Sequence, residues 1–429
     1  MALTGTRTFT GFGFGAIQAG LFLHEAFLSG RFGRLVAAEV QPDVVKAVRQ
    51  AEGRYAVNVA HQDRIDTVLI GPVELLNPGE EADRRRLIEA VATADELATA
   101  LPSVDHYVLT EPGSPHRVLA EGLRARAAMN GPPAIVYAAE NHNRAAEILE
   151  EAIRAEIPGA ELGAASARTR YLNTVIGKMS GSVTGTEELR RRGLTPIARG
   201  LGRAFLVEAF NRILISRIRC GEVAGDHPFE RGIEVFQEKD DLLPFEEAKL
   251  YGHNATHALA AYVGAIRGVR LLANLQDYSE IMGFLRDAFI KESGQALIKR
   301  HAGVDPLFTE EGYREYAEDL LARMVNPFLH DTVDRVGRDP ERKLAWDDRL
   351  IGTIRLAMRM GVKPIRYAVG AAAALATLNR SGDVASLLDQ IWDSAKPDNS
   401  EKIAILDLIE EGRHRLRRWI NSGFRHKLP

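Results

Sequence analysis

The chain opens with short apolar runs separated by stretches of helical periodicity. Residues 7–12 read as a strand, followed by a glycine turn and a helix through about Ser29. Residues 34–40 carry a second strand pattern and residues 42–52 a second helix. Further strand-like runs fall at 66–70, 106–110 and 134–139, with helical periodicity at 84–99 and 116–129. Strands spaced by helices predict a parallel sheet with helices on its faces. Beyond about Pro244 helical periodicity dominates, broken near 303–306, 337–340, 361–364 and 396–400, with few β-branched runs. The expected fold class is therefore α/β plus all-α, with a boundary between residues 243 and 244. The middle, 168–244, is ambiguous; its glycine-rich 177–185 and polar 237–241 read as loops.

Length and composition agree with two domains. A chain of 429 residues exceeds what one hydrophobic core usually supports. Its 45% hydrophobic and 26% charged residues are ordinary for a globular protein. No run approaches the roughly eighteen apolar residues of a membrane span, and the apolar stretch 9–20 suits a strand and turn better than a cleaved leader. With a net charge of −3, nothing global draws the chain to nucleic acid or a membrane surface. Cys220 is the only cysteine, so an intramolecular disulfide and a cysteine metal site are both excluded. It reads as a small buried hydrophobe, and the expected location is the cytoplasm. The run 190–192 reads as a solvated charged face.

Candidate chemistry appears at two places. After the first strand comes Phe12-Gly13-Phe14-Gly15-Ala16-Ile17-Gln18-Ala19-Gly20. Gly13 permits a tight turn, Gly15 lets the backbone approach a pyrophosphate, and the helix start at Ala16 and Ile17 offers free N–H groups. Gln18 replaces the third glycine of the common fingerprint, and glycines also occur in ordinary strand-to-helix turns. Glu39 ends the second strand about 24 residues beyond Gly15, near the spacing of an acidic ribose ligand. As a ribose ligand it favours NAD over NADP; the other reading is a plain strand-end residue. Together these residues fit one βαβ unit and make residues 1–243 a Rossmann-type NAD-binding domain with an extension.

The second place is Glu246-Glu247-Ala248-Lys249-Leu250-Tyr251-Gly252-His253-Asn254-Ala255-Thr256-His257. Counted at about 100° per residue, His257 lies about 80° and Asn254 about 140° from Lys249, on one broad helix face. Polar groups converging beside Ala258, Leu259 and Ala260 are costly unless they serve one another or a ligand. A lysine amine kept neutral by burial can take a hydroxyl proton, an asparagine amide can donate to a charging oxygen, and a neutral histidine can orient a hydroxyl. The alternative is a surface lysine, a satisfied asparagine and a core histidine. His253 and His257 also have the i, i+4 spacing of a zinc pair, with no third ligand of suitable spacing.

The Lys249-x4-Asn254-x2-His257 spacing resembles the signature of the polyol-specific long-chain dehydrogenases, the mannitol dehydrogenase family. The likeness covers most of the chain. It includes Ala37-Ala38-Glu39-Val40, Ala138-Ala139-Glu140-Asn141, Glu292-Ser293-Gly294, Leu297-Ile298-Lys299-Arg300 and Asn326-Pro327-Phe328-Leu329. The resemblance implies a metal-independent, NAD-dependent oxidoreductase, monomeric, with Lys249 as general base. It makes Asn141 and Asn254 oxyanion donors and His257 a substrate-orienting group; Asn143 competes for the role of Asn141. Residues 244–429 would be a helical substrate and catalytic domain.

The stretch 334–344, Asp-Arg-Val-Gly-Arg-Asp-Pro-Glu-Arg-Lys-Leu, followed by Asp348-Arg349-Leu350, resembles the family branch that acts on sugar-alcohol phosphates. Arg338, Arg342, Lys343 and Arg349, with Lys299 and Arg300, are the expected phosphate ligands, beside Arg335. In the competing reading these cations pair with Asp331, Asp334, Asp339, Glu341, Asp347 and Asp348. One departure bears on the substrate: Asn173-Thr174-Val175-Ile176-Gly177-Lys178-Met179 stands where relatives carry an Asn-Ser-x-x-Asp-Arg-Ile-type run. A free polyol, a sugar acid, or NAD binding without catalysis are the other functions this sequence allows.

Overall fold

The structure is a computed structural model that describes residues 3–219, 229–378, 383–425 and 428. Cys220 lies outside the described residues. The chain divides into two compact units, Met1–Leu242 and Leu243–Pro429.

The first unit holds two sheets. Its strands are β1 (Arg7–Phe12), β2 (Phe32–Ala38), β3 (Tyr55–Ala60), β4 (Ile65–Ile70), β5 (Glu74–Leu76), β6 (Glu96–Thr99), β7 (Ala134–Ala138), β8 (Thr169–Val175), β9 (Ser180–Thr184), β10 (Arg203–Glu208), β11 (Leu214–Ser216) and β12 (Gln237–Lys239). The larger sheet has the order β12-β11-β8-β7-β6-β1-β2-β5 and the smaller β4-β3-β10-β9. From β5 to β8 every pairing in the larger sheet is parallel. The order reverses between β1 and β6, the switch point at which such sheets bind ligands.

Side-chain alternation explains why these strands read as continuous apolar runs. Phe9, Leu35, Ala37, Ala98, Ile135 and Tyr137 enter one core; Phe12, Val36, Ala38, Leu97, Ala134 and Val136 enter the other. Both faces are covered, so no polar alternation survives. The first core also takes Tyr55, Val57, Phe205 and Val207 from the smaller sheet. The second is closed by Leu87, Ala90 and Val91 of the helix Glu81–Thr93, with Val118, Leu119 and Leu123 of Pro115–Ala128.

Several sequence expectations need correction. The helix expected over 84–99 ends at Thr93, and its tail is the central strand β6. Glu96 made that strand look helical; it is fully buried and accepts hydrogen bonds from Tyr137 Oη at 2.8 Å and from the Gly232 N–H. Residues 104–107 form a 3₁₀ turn where a strand was expected at 106–110. Within the stretches read as loops, Ser180–Thr184 and Gln237–Lys239 are strands. Of the run 190–192, Arg190 and Arg191 lie on an exposed face, paired with Glu187 and Glu188, while the Arg192 side chain is mostly covered and also pairs with Glu188.

The second unit is helical. Its first helix runs continuously over 243–267 but contains a π-helical segment, Ala248–Asn254. A second π segment, Ala288–Gly294, interrupts the helix over 279–300. Both carry a glycine against Tyr313: a Cβ at Gly252 would sit 2.5 Å from its hydroxyl, and one at Gly294 2.8 Å from its ring. The wider turns are thereby locked where no side chain fits. Among the described residues no helix is long and apolar enough to cross a membrane.

Candidate active site

In the first unit the carboxyl ends of β1, β2, β6 and β7 open into a cavity of about 680 Å³. Gly13, Gly15, Ala16 and Ile17 line it, with Glu39, Val40, Leu101 and Ala139. Gly13 has φ +88°, and a Cβ there would meet the Ala100 carbonyl oxygen at 2.7 Å, so the turn after β1 requires glycine. A Cβ on Gly15 would meet no protein atom within 4 Å. That glycine clears space for something other than the protein. Its own carbonyl accepts from Ala19 N at 2.8 Å, starting the helix beside the cavity.

Glu39 is 7% exposed at the cavity wall, and its Oε1 accepts from Gln41 N at 2.7 Å. Burial raises its carboxyl above the ordinary range, opposed by backbone hydrogen bonds and by Arg203. The smaller sheet forms part of the wall through Ser180, Gly181, Ser182, Arg203 and Phe205, residues that no sequence motif marked. Arg203 reaches the loop after β2, bonding Gln41 and pairing with Asp43 at 2.6 Å.

Asn141 lies exposed in the turn after β7. The preceding Glu140 is buried and ties that turn to β6, accepting from Leu101 N at 2.8 Å, Thr99 Oγ1 at 2.9 Å and the Tyr107 hydroxyl. The divergent run 173–179 is a structural staple. Lys178 is buried and donates to the carbonyls of Glu208 at 2.5 Å and Phe210 at 2.7 Å, joining the end of β8 to the end of β10.

In the second unit the π segment changes the helical count made from sequence. Its backbone bonds span five residues: Ala255 N–H donates to the Leu250 carbonyl. Residues five apart therefore stack, which brings Lys249 and Asn254 into line; His257 follows three positions on, one α-turn away. The three share a narrower face than a uniform α-helix gives. Burial pulls the Lys249 ammonium down to about 8, the Arg349 guanidinium adds to this, and Glu246 opposes it. Burial likewise lowers His257 to about 4 despite Asp331, while His253 is held well below its ordinary value. Asn254 makes no side-chain hydrogen bond among the described residues.

The expected phosphate ligands divide into two groups. Lys343 and Arg349 are largely buried and belong to the Lys249 surroundings: Arg349 lies within electrostatic reach of Lys249, His253, His257 and Lys343. The Lys343 ammonium donates to the Arg338 carbonyl and is drawn down to about 8 by burial, then by Arg349 and Arg342. Arg342 is exposed, and Arg338 turns its guanidinium outward, 3.9 Å from Asp339. Lys299 and Arg300 are engaged elsewhere. Lys299 donates to the Met360 carbonyl at 3.1 Å, and Arg300 grips Glu247 in a two-point ion pair. Arg335 bonds Asp331, and Arg349 pairs with Asp348 at 3.3 Å, as the ion-pairing alternative expected.

Other resembling segments are structural. Glu292 caps the helix Ile365–Thr377, accepting from Arg366 N at 2.9 Å and Tyr367 N at 3.2 Å. Asn326 Oδ1 accepts from Phe328 N at 2.9 Å to start the turn Pro327–Leu329. The rings of His253 and His257 are 6.1 Å apart, and no metal-holding group of three His, Cys, Asp or Glu occurs among the described residues.

A switch-point cavity with a glycine turn, and a helical unit that sets a partly buried lysine, asparagine and histidine on one face, suit an oxidoreductase acting on CH–OH groups. Comparison with known proteins carries this to a family. Residues 241–409 match the model of the mannitol dehydrogenase C-terminal domain. Mannitol-1-phosphate 5-dehydrogenase of Bacillus licheniformis is 30% identical over 362 residues, covering 84% of this chain and 86% of that protein. The enzyme of the same name from an Arthrobacter species is 30% identical over 388 residues, covering 90% and 89%. The chain belongs to the mannitol dehydrogenase family. Its fold is shared by mannitol 2-dehydrogenase of Pseudomonas fluorescens, solved with NAD and D-mannitol (TM-score 0.70, 16% identity, 98% and 94% covered). It is shared also by a D-sorbitol dehydrogenase (TM-score 0.77, 15% identity, 99% and 95% covered).

Proposed function

We propose that the protein is an NAD-dependent, metal-independent dehydrogenase that interconverts a sugar-alcohol phosphate resembling mannitol 1-phosphate and a ketose phosphate resembling fructose 6-phosphate. The observation that carries this reading is the Lys249 amine, drawn down to about 8 on the face it shares with Asn254 and His257. Both curated relatives described above act, by name, on mannitol 1-phosphate.

The first unit fits NAD. Its cavity has the size of a small-molecule site. Gly15 leaves room where a pyrophosphate approaches a helix start, and Glu39 offers a carboxylate to the adenosine ribose. NAD supplies the hydride acceptor. The chain supplies the rest: Lys249 as the free amine takes the proton of the reacting hydroxyl. Asn254, with Asn141, donates to the oxygen as it becomes a carbonyl. His257, neutral because burial holds it near 4, orients a neighbouring hydroxyl. Lys343 and Arg349, with the exposed Arg342 and Arg338, give the second unit a concentration of cations suited to a phosphate monoester. The reading includes a monomer working in the cytoplasm.

The test is a panel of hexitols and their phosphates with NAD and NADP, followed at the nicotinamide absorbance. Turnover of a hexitol phosphate with NAD, at a kcat/KM well above that of the free hexitol, is expected. Preference for the free polyol would overturn the phosphate assignment. NAD binding without turnover of any polyol would overturn the enzyme.

A further inference from the structure

His257 and Asp331 present two buried polar atoms to each other. His257 Nε2 and Asp331 Oδ2 lie 3.9 Å apart, both sealed from solvent and both without a hydrogen-bond partner. Neither ring nitrogen of His257 makes a hydrogen bond among the described residues. Such orphans are rare in folded proteins, and this pair sits on the face that carries Lys249 and Asn254.

Asp331 is not there by accident of a mobile side chain. Its backbone carbonyl accepts from Leu272 N at 2.9 Å, and Val333 N donates to the Arg270 carbonyl at 2.9 Å. Leu271 and Thr332 form a single antiparallel bridge. These bonds pin residues 331–333 to the segment that follows the His257 helix, Ala255–Arg267. On the side chain, Oδ1 is taken by the Arg335 guanidinium one helical turn on, which leaves Oδ2 facing the imidazole.

We propose that Asp331 is the positioning residue that keeps the hydrogen of His257 on Nε2, so that Nδ1 is a lone-pair acceptor for a substrate hydroxyl. A carboxylate can only accept. An imidazole with its hydrogen on Nδ1 would aim the Nε2 lone pair at an anion across a sealed gap, where repulsion is poorly screened. With the hydrogen on Nε2, the ring aims its N–H there instead, and a small ring rotation makes a hydrogen bond. Because burial keeps the ring neutral, the choice between tautomers is what Asp331 decides. It follows that His257 receives a hydrogen from the substrate and does not donate to the reacting oxygen, a role left to the asparagine amides. This consequence rests on the function proposed above; the tautomer itself does not.

The test is nitrogen-15 NMR of the full-length protein labelled in its 12 histidines, with His257 assigned by its loss in His257→Gln. The wild type is expected to show Nε2–H. In Asp331→Asn the amide oxygen stays on Arg335 and the amide NH₂ faces the ring, so His257 is expected to switch to Nδ1–H. Arg335→Ala, which keeps the carboxylate, retains Nε2–H and covers the case in which Asp331→Asn does not fold. In turnover, Asp331→Asn loses at least about tenfold in kcat/KM, carried mainly by KM, with thermal stability little changed. An Nδ1–H wild type, or a tautomer unmoved by Asp331→Asn, overturns the proposal. A wild type that turns over no polyol yet shows Nε2–H sinks the functional reading and supports the tautomer assignment.

Discussion

The two units reach specificity by opposite means. The first surrounds its cavity mostly with backbone and small or apolar side chains, with Glu39 and Arg203 as its charged groups, so its selectivity lies largely in shape and in where Cβ atoms are missing. The second gathers Lys249, His253, His257, Lys343 and Arg349 under enough protein to shift their protonation, so its selectivity lies in charge. A shape site tolerates new side chains wherever they point away from the cavity. A charge site does not tolerate the loss of one buried group, because each sets the field felt by the others.

The sharpest way to break the contrast is Lys249→Ala. Removing the proton acceptor is expected to lower kcat for polyol oxidation about 10³-fold, while NAD affinity, read by nicotinamide fluorescence, stays at the wild-type value. Loss of NAD binding to the same degree would show that the amine serves the nucleotide. Next in size is a pair of glycine variants. Gly13→Ala forces a side chain into φ +88° and against the Ala100 carbonyl, and is expected to cost about 1–3 kcal/mol of stability as well as NAD affinity. Gly15→Ala meets no protein atom, so it should unfold at the wild-type temperature yet bind NAD at least about tenfold more weakly. Unchanged NAD affinity in Gly15→Ala would remove the pyrophosphate from that corner.

The contrast also explains what the sequence revealed. The glycine turn and Glu39 were legible because a βαβ nucleotide site is local: strand, turn, helix and acidic residue follow one another within about 40 residues. The smaller sheet was not legible. β3 and β10 pair across more than half of the first unit, and Ser180, Ser182 and Arg203 enter the cavity wall only through that pairing. Lys249, Asn254 and His257 were found together by their spacing, though for an incomplete reason. Counted on an α-helix they spread over a broad face, and it is the π turn, invisible in periodicity, that stacks residues five apart. Asp331 was noted only as one carboxylate among several able to pair with the nearby arginines. The distinction between an ion-pairing acid and one left facing a buried imidazole depends on the bridge at Leu271 and Thr332, which no local pattern announces. The same limit applies to Lys299 and Arg300, whose commitment to Met360 and Glu247 needs contacts made far along the chain.

A smaller effect separates charge that binds from charge that tunes. Arg342 is exposed, and on the proposed reading it contacts the phosphate without setting the base. Arg342→Ala is expected to raise KM for the phosphate ester by up to about fivefold, a loss within the range of one surface charge contact, and to leave the free polyol unaffected. Equal effects on both substrate forms would remove Arg342 from the phosphate site.

The finest test concerns Arg349, which is buried close enough to lower Lys249. Oxidation needs the free amine, so kcat/KM should rise with pH to a plateau above about 8; an ordinary lysine would place that limb near 10.5. Reduction needs the ammonium and should fall over the same range. Removing the guanidinium takes away a positive charge that disfavours the ammonium, so the amine holds its proton more tightly and the limb moves upward. Because burial is the larger cause, Arg349→Ala should shift it by less than burial does, with a corresponding loss of oxidation rate below pH 8. Arg349→Lys keeps the charge and should leave the limb in place. The measurement belongs on a free polyol, since a phosphate ester would add the loss of a phosphate contact. A limb that stays at its wild-type position in Arg349→Ala, or moves downward, would mean that burial alone sets the base and that Arg349 serves the substrate only.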